Sequence, residues 1–198
     1  MNYANLIRYD AANGPGWRVS LFVSGCDMHC TGCFNQDAQD YSFGSVYTSD
    51  IKQQIEDTIR DPRVTGLSLL GGDPLSQDID ALSELIDLVY SVRHNGKTVW
   101  MWTGFQWEDI FTQEYCADSA YWKMRTLLVR MVDVLVDGEF VEELADPSLE
   151  FRGSSNQRII DVQKSLAAGK VVLWSEVPGQ ISIEEYMSEV QHEDNKND

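Results

Sequence analysis

Three of the four cysteines of this 198-residue chain lie within eight residues, in the spacing Cys26-x3-Cys30-x2-Cys33. Disulfide-rich secreted domains spread their cysteines to close loops, so a bunched set favours a metal site. Structural zinc sites usually have four ligands in two pairs, and no second pair follows here. Three thiolates suit a 4Fe–4S cluster whose fourth iron lacks a protein ligand and stays open to a substrate. The spacing therefore predicts chemistry at an iron–sulfur cluster.

Two other residues are candidates for a fourth ligand. His29 directly precedes Cys30 in the sequence, which makes joint chelation of one ion awkward. Cys116 lies in a polar segment without neighbouring cysteines. We interpret His29 as a loop residue and Cys116 as a spare thiol. A small zinc-binding adaptor without catalysis remains the alternative, because His29 stands so close to the short cysteine loop.

The elements around the cysteines predict an α/β fold. Residues 17–23 are rich in β-formers and end at Ser24-Gly25, so the cysteines follow the carboxyl end of a strand. Apolar periodicity predicts further strands at 66–70, 97–103, 132–136, 158–162 and 171–174, and helices at 51–60, 77–93, 107–111 and 121–130. The chain is too short for a full eightfold barrel of about 250 residues. We therefore expect an incomplete (β/α) barrel of about four to six mostly parallel strands.

Smaller signals complete the predicted elements. Thr48 or Ser49 is expected to cap the first helix, and Asn95-Gly96 to end the second. Arg18 alternates outward on the first predicted strand, where we expect it to form an ion pair. The apolar stripe of the second helix is expected to comprise Ile79, Leu82, Leu85, Ile86 and Val89.

Four unusual loops follow the four best-defined strands. They are the cysteine loop, Gly71-Gly72-Asp73-Pro74, Thr103-Gly104-Phe105 and Asp137-Gly138. The carboxyl ends of parallel strands share one rim, and ligands of α/β folds bind there. Glycines at strand ends let a ligand approach the backbone closely. The sequence thus predicts one ligand site built from all four loops.

Composition excludes several classes of protein. The net charge is −17, which argues against a nucleic-acid-binding module. No segment approaches the ~20 apolar residues of a membrane span, and residues 1–10 do not resemble a signal peptide. We expect a cytoplasmic protein with one domain at 1–175. Residues 176–198 hold seven acidic residues against one lysine and are predicted to form an acidic, partly disordered C-terminal extension.

Longer stretches of the chain resemble a known family. The cysteine spacing is that of the radical S-adenosylmethionine superfamily. The stretches NGPGWRVSLFVSGCDMHCTGCFN, LSLLGGDPL, VWMWTGF, VDVLVDGEF and FRGSSNQRIIDV are similar to the activating proteins of anaerobic (class III) ribonucleotide reductases. The similarity covers about residues 2–162, in order and without large gaps.

The resemblance implies an enzyme and its mechanism. Cys26, Cys30 and Cys33 would hold a 4Fe–4S cluster whose open iron takes the amino and carboxylate groups of S-adenosylmethionine. One electron from an external donor would then cleave the C5′–S bond to give methionine and a 5′-deoxyadenosyl radical. That radical would remove hydrogen from the α-carbon of a glycine near the C-terminus of the reductase large subunit. The cofactor supplies the difficult chemistry, while the protein orients it.

The resemblance also implies which residues contact S-adenosylmethionine. Phe34 matches an aromatic residue that packs near the adenine, and Asp73 stands where most of the superfamily has glutamate. The loop at 152–157 is expected to contact S-adenosylmethionine or to line the entrance for the reductase. The complete predicted contact set is Gly32, Cys33, Phe34, Gly71, Gly72, Asp73 and Thr103.

A related alternative is an activase of another glycyl-radical enzyme, of the formate-lyase type. Such activases are similar around the cysteines. The stretches FRGSSNQ and DVLVDGEF favour the reductase activator.

Overall fold

The computed structural model describes residues 1–111 and 119–175, which form one mixed sheet of seven strands with helices packed against it. The strands are β1 (Asn2–Asp10), β2 (Trp17–Val23), β3 (Ser45–Val46), β4 (Val64–Gly71), β5 (Thr98–Trp102), β6 (Val134–Asp137) and β7 (Arg158–Asp161). The helices are α1 (Ser49–Ile59), α2 (Ile79–His94), α3 (Trp107–Phe111), α4 (Ala120–Met131) and α5 (Val162–Ala168).

The strand order is β3-β1-β2-β4-β5-β6-β7. Its core, β2-β4-β5-β6, is parallel, while β1, β3 and β7 pair antiparallel at the two edges. The predicted open α/β sheet is confirmed. The strand count is higher than predicted because β1 and β3 add two strands that the sequence reading did not assign.

The parallel core places the four predicted loops at one rim. Val23 pairs with Gly71, and Trp102 pairs with Val136, so the carboxyl ends of these strands are level. The loop after β5 joins the loop after β6, because the Gly138 amide donates to the Phe105 carbonyl over 3.2 Å. We call this edge of the sheet the carboxyl rim.

All the longer helices cover one face of the sheet. Alternate strand residues such as Val19, Leu21, Leu67 and Leu69 are fully buried against them. This is the helix-outside arrangement of a (β/α) barrel that has not closed. The opposite, concave face holds a second apolar cluster in which Trp174 packs edge-on against Trp100, with ring centroids 4.7 Å apart.

Helix ends follow the predicted capping residues. The Thr48 hydroxyl accepts from the Ile51 amide, and Asn95 ends α2. The buried stripe of α2 is confirmed at Leu82, Leu85 and Val89. The assignment of Ile79 to that stripe is wrong, because Ile79 is the first helical residue, lies near the rim and is 45% exposed.

The prediction for Arg18 is also wrong, because its side chain is fully buried on the concave face and has no carboxylate within ion-pair distance among the described residues. Its Nε donates to the Ser68 hydroxyl over 2.8 Å. Its Nη2 donates to the carbonyls of Leu67 and Thr98, and Nη1 to the Thr98 hydroxyl. The turn at 13–16 and the Trp100 ring cover this face, so the outward-pointing position is not open to water.

Two further predictions concern the end of the chain. The strand predicted at 171–174 is reduced to one bridge, between Leu173 and Ile160. Residues 176–198 lie outside the described residues, so the domain boundary and the acidic extension stay predictions. Within 1–111 and 119–175, no helix combines the length and apolar character needed to cross a membrane.

Replacing Arg18 by methionine should destabilise the protein by about 2–4 kcal/mol, because buried oxygens lose their donors. Urea unfolding under anaerobic conditions measures this change. The control is Arg63→Met, since the Arg63 side chain is 75% exposed and its ion pair with Asp61 contributes about 0–1 kcal/mol. Equal stability of the two variants would contradict the structural role assigned to Arg18.

Candidate iron–sulfur site

The cysteine loop leaves β2 through a sequence of left-handed backbone turns. Gly25 has φ +104°, His29 φ +51° and Gly32 φ +71°. Left-handed residues reverse the chain direction within a short span. The loop therefore bends back on itself, and Cys26, Cys30 and Cys33 are all unpaired and only half-buried.

Backbone amides point at two of the sulfurs. The Met28 amide donates to Cys26 Sγ and the Asn35 amide to Cys33 Sγ, each over 3.4 Å. Burial raises the pKa of the Cys26 thiol to about 11, and it also raises the pKa of Cys30. The two thiols are thus neutral at pH 7, and metal binding must displace their protons.

The donor set fits an iron–sulfur cluster better than a single ion. Over residues 1–111 and 119–175, no three side chains of His, Cys, Asp or Glu converge closely enough to hold one metal ion. A 4Fe–4S cluster has a separate iron for each thiolate, so the three sulfurs need not meet at one point. His29 is exposed, with Nδ1 3.5 Å from Gln39 Oε1. Cys116 lies outside the described residues.

The loop after β4 is joined tightly to the base of the cysteine loop. The Gly72 amide donates to the Val23 carbonyl over 2.7 Å, and the Asp73 amide to the Gly25 carbonyl over 2.8 Å. The buried Gln77 side chain donates to the carbonyls of Gly25 and Asp73. Two neighbouring strand ends therefore carry the predicted cluster loop and the predicted Gly-Gly-Asp motif side by side.

The Asp73 carboxylate connects two loops of the rim. It accepts hydrogen bonds from the Thr103 hydroxyl at 3.0 Å, the Gly104 amide at 2.9 Å and the Leu75 amide at 2.7 Å. The side chain is only 1% exposed. Burial raises the pKa of Asp73 to about 6, although these hydrogen bonds and the Arg125 charge oppose the rise. Asp73 and Thr103, predicted as ligand contacts, therefore bond to each other.

The loop between β6 and β7 closes the other side of the cysteine loop. Phe34 is 77% exposed, and its ring meets Phe140 edge-on with centroids 5.1 Å apart. A Cβ on Gly153 would lie 3.0 Å from both rings, and one on Gly32 would lie 2.9 Å from the Glu142 carboxyl group. The seven predicted contact residues thus lie around one rim. Their contact with S-adenosylmethionine remains a prediction.

The sequence did not predict a role in the site for three residues of this rim. Phe140 lies within a stretch that carried the family resemblance, but nothing in that stretch indicated its contact with Phe34. Gln77 gave no signal, because a lone glutamine before a helix is common. Arg125 was hidden in a predicted helix, yet it is buried and its guanidinium lies 4.5 Å from the Phe105 ring centre.

Comparison with known proteins agrees with this geometry. A family profile described as a 4Fe-4S single cluster domain matches residues 12–160. An anaerobic ribonucleoside-triphosphate reductase-activating protein of Vibrio cholerae is 40% identical over 163 residues, which are 80% of this chain and 97% of that protein. Proteins with the same name from Escherichia coli K12 and Enterobacteria phage T4 are 38% and 35% identical, and the matches cover 96% and 93% of their lengths.

Replacing Gly72 by alanine should displace the cysteine loop and lower the iron content of anaerobically reconstituted protein. A Cβ there would lie 2.4 Å from the Gly25 carbonyl oxygen and 2.6 Å from that of Ala38, and overpacking of this kind costs about 1–3 kcal/mol. The control is Gly96→Ala, where no atom lies within 4 Å and only the left-handed backbone is strained. Wild-type iron content in Gly72→Ala would contradict the expectation.

Asp73→Asn should remove a pH dependence of stability. The folded pKa of about 6 exceeds the ordinary value of 3.8, so the folded protein binds this proton more tightly than the unfolded chain. The wild type should therefore gain stability relative to the variant as pH falls from 7 to 5, by about 1 kcal/mol. Urea unfolding of both proteins across this range measures the difference. A constant difference would show that the Asp73 pKa is not raised.

Proposed function

The chain belongs to the family of anaerobic ribonucleoside-triphosphate reductase-activating proteins, and we propose that it is an activase that generates a glycyl radical on such a reductase. The observation that carries the proposal is the set of three unpaired cysteines on a loop bonded to the Gly-Gly-Asp loop. In such a site, a cluster held by the cysteines would lie next to the backbone of the Gly-Gly-Asp loop, which can bind a small ligand.

Cys26, Cys30 and Cys33 would hold the cluster, and the neighbouring loops would bind S-adenosylmethionine. When bound, the cluster supplies the single electron that splits the C5′–S bond into methionine and a 5′-deoxyadenosyl radical. Because the Asp73 oxygens are occupied by Thr103, Gly104 and Leu75, we assign Asp73 an indirect role in which it holds the backbone of Gly71-Gly72 toward the ligand. Phe34, exposed beside Cys33, offers an apolar surface to the adenine.

The activity requires two partners. An external one-electron donor reduces the protein, and the reductase large subunit presents a glycine near its C-terminus to the carboxyl rim. With the cluster and S-adenosylmethionine bound, the rim would supply the radical chemistry that removes a hydrogen atom from the glycine α-carbon, with 5′-deoxyadenosine as the by-product. Unpaired thiols persist in a reducing compartment, which supports the expected cytoplasmic location.

Two alternatives have less support. All the relatives named above are reductase activators, which favours this partner over a formate-lyase type of enzyme. A zinc-binding adaptor is disfavoured because the matching family profile describes a 4Fe-4S cluster and the described side chains do not converge on one ion.

Anaerobically reconstituted protein, a reductant, S-adenosylmethionine and the reductase should together give a glycyl-radical doublet in electron paramagnetic resonance. Alanine at Cys26, Cys30 or Cys33 should reduce the signal by at least about a hundredfold, since each thiolate is a cluster ligand. Cys116→Ala is the matched control and should keep the wild-type signal. A doublet with a formate lyase and none with the reductase would overturn the proposed partner.

A further inference from the structure

Arg152 occupies a rim position between two parts of the site. The carbonyl of the preceding residue, Phe151, accepts from Trp102 Nε1 at the end of β5 over 2.7 Å. A Cβ on the following residue, Gly153, would lie 3.0 Å from the rings of both Phe34 and Phe140, so Gly153 lies beside the cysteine loop. Phe151 adopts φ +58°, a left-handed conformation that costs a phenylalanine about 1–2 kcal/mol. The fold therefore holds Arg152 at this place against a local backbone cost.

The guanidinium of Arg152 is incompletely satisfied. Its Nη1 donates to the Gln157 carbonyl over 2.8 Å. Its Nε is buried and has no hydrogen-bond acceptor in the described part of the protein. No carboxylate of the described residues lies within ion-pair distance, although Glu139 and Glu142 belong to the same loop. Burial without a counter-charge lowers the pKa of Arg152.

Other arginines near this rim are already engaged. Arg158 forms ion pairs with Asp137 and Glu108. Arg125 also has a buried Nε without an acceptor in the described part of the protein, but its Nη2 donates to the Tyr121 hydroxyl, and its guanidinium lies 4.1 Å from the Tyr121 ring centre and 4.9 Å from that of Trp122. Among the described rim residues, the half-buried Arg152, which forms no ion pair and precedes Gly153 beside Phe34, is the cation best placed to bind an anionic group of a ligand.

We propose that Arg152 binds the carboxylate of the methionine moiety of S-adenosylmethionine. This inference rests on the proposed function, which requires that ligand. The Nε–H of Arg152 has no acceptor among the described residues, and a carboxylate would supply one. A guanidinium can bind a carboxylate through two parallel hydrogen bonds. A bound carboxylate would then compensate the loss of hydration at the buried Nε of Arg152. Arg152 therefore selects ligands that carry the amino-acid carboxylate.

Equilibrium dialysis against the anaerobically reconstituted full-length protein tests this role with two ligands, S-adenosylmethionine and its decarboxylated form. Arg152→Met should weaken binding of S-adenosylmethionine by roughly tenfold to a hundredfold, the usual effect of losing a charge-assisted hydrogen bond. Decarboxylated S-adenosylmethionine should bind the wild type and the variant equally within about twofold, because the group that Arg152 contacts is absent.

Arg63→Met, which removes an exposed arginine at the opposite end of the sheet, is the control and should not change either affinity. Equal weakening of both ligands in Arg152→Met would show a structural role and overturn the proposal, as would unchanged binding of both. If Arg152→Met does not take up iron, Arg152→Lys gives the same comparison. Lysine keeps the charge but loses the planar pair of donors, so weaker binding of S-adenosylmethionine alone would support the proposal.

The two proposals fail in different ways. A wild-type protein that carries about four irons but binds no S-adenosylmethionine would overturn the proposed function itself. A wild type that binds the ligand and activates the reductase, with an Arg152→Met variant of equal affinity, would overturn only the assignment of Arg152.

Discussion

The site depends on backbone hydrogen bonds between two loops that approach too closely for side chains. Gly72 and Asp73 donate their amides to Val23 and Gly25, and Gly25 in turn donates to Ala38. A Cβ on Gly72 would collide with two of these carbonyl oxygens. Within the cysteine loop, His29 and Phe34 are exposed and the three cysteines are only half-buried. The parallel pairing of β2 with β4 therefore determines the position of the cysteine loop.

Asp73 extends this connection to the third strand of the rim. A glutamate, the more frequent residue of the superfamily at this place, would add one methylene and would not fit the same three donors without a shift. The shorter side chain meets the Thr103 hydroxyl and the Gly104 amide within hydrogen-bond distance. The difference in length thus has a structural meaning, because in this chain the carboxylate connects the loop after β4 to the loop after β5.

The sequence predicted the parallel core and the meeting of four loops at one rim, because both depend on local patterns. The strand at 17–23, the helix at 107–111 and the meeting of four loops were all read from periodicity and turn residues, and the structure confirms them. The edge strands and the burial of Arg18 were missed for a common reason. Strand β1 is half-polar and only partly buried, and Arg18 is covered by the turn at 13–16 and by the ring of Trp100, which is distant in sequence. Such facts depend on which parts of the chain meet, and one sequence does not reveal them.

The charges around the cysteines affect both the pKa values of the thiols and the chemistry expected at the site. Burial is the main reason for the raised thiol pKa values, and the negative charges of Asp73 near Cys26 and Glu139 near Cys30 act in the same direction. Surroundings that disfavour a thiolate would also disfavour adding an electron to a cluster bound there, and would in that way lower its reduction potential. The N–H donors of Met28 and Asn35 act in the opposite sense and stabilise negative charge on sulfur. A cluster that donates an electron to a sulfonium needs a low reduction potential, so the negative charges near the cysteines suit the proposed reaction. Arg152, which has no ion pair among the described residues, is the one position of this rim that would attract a carboxylate.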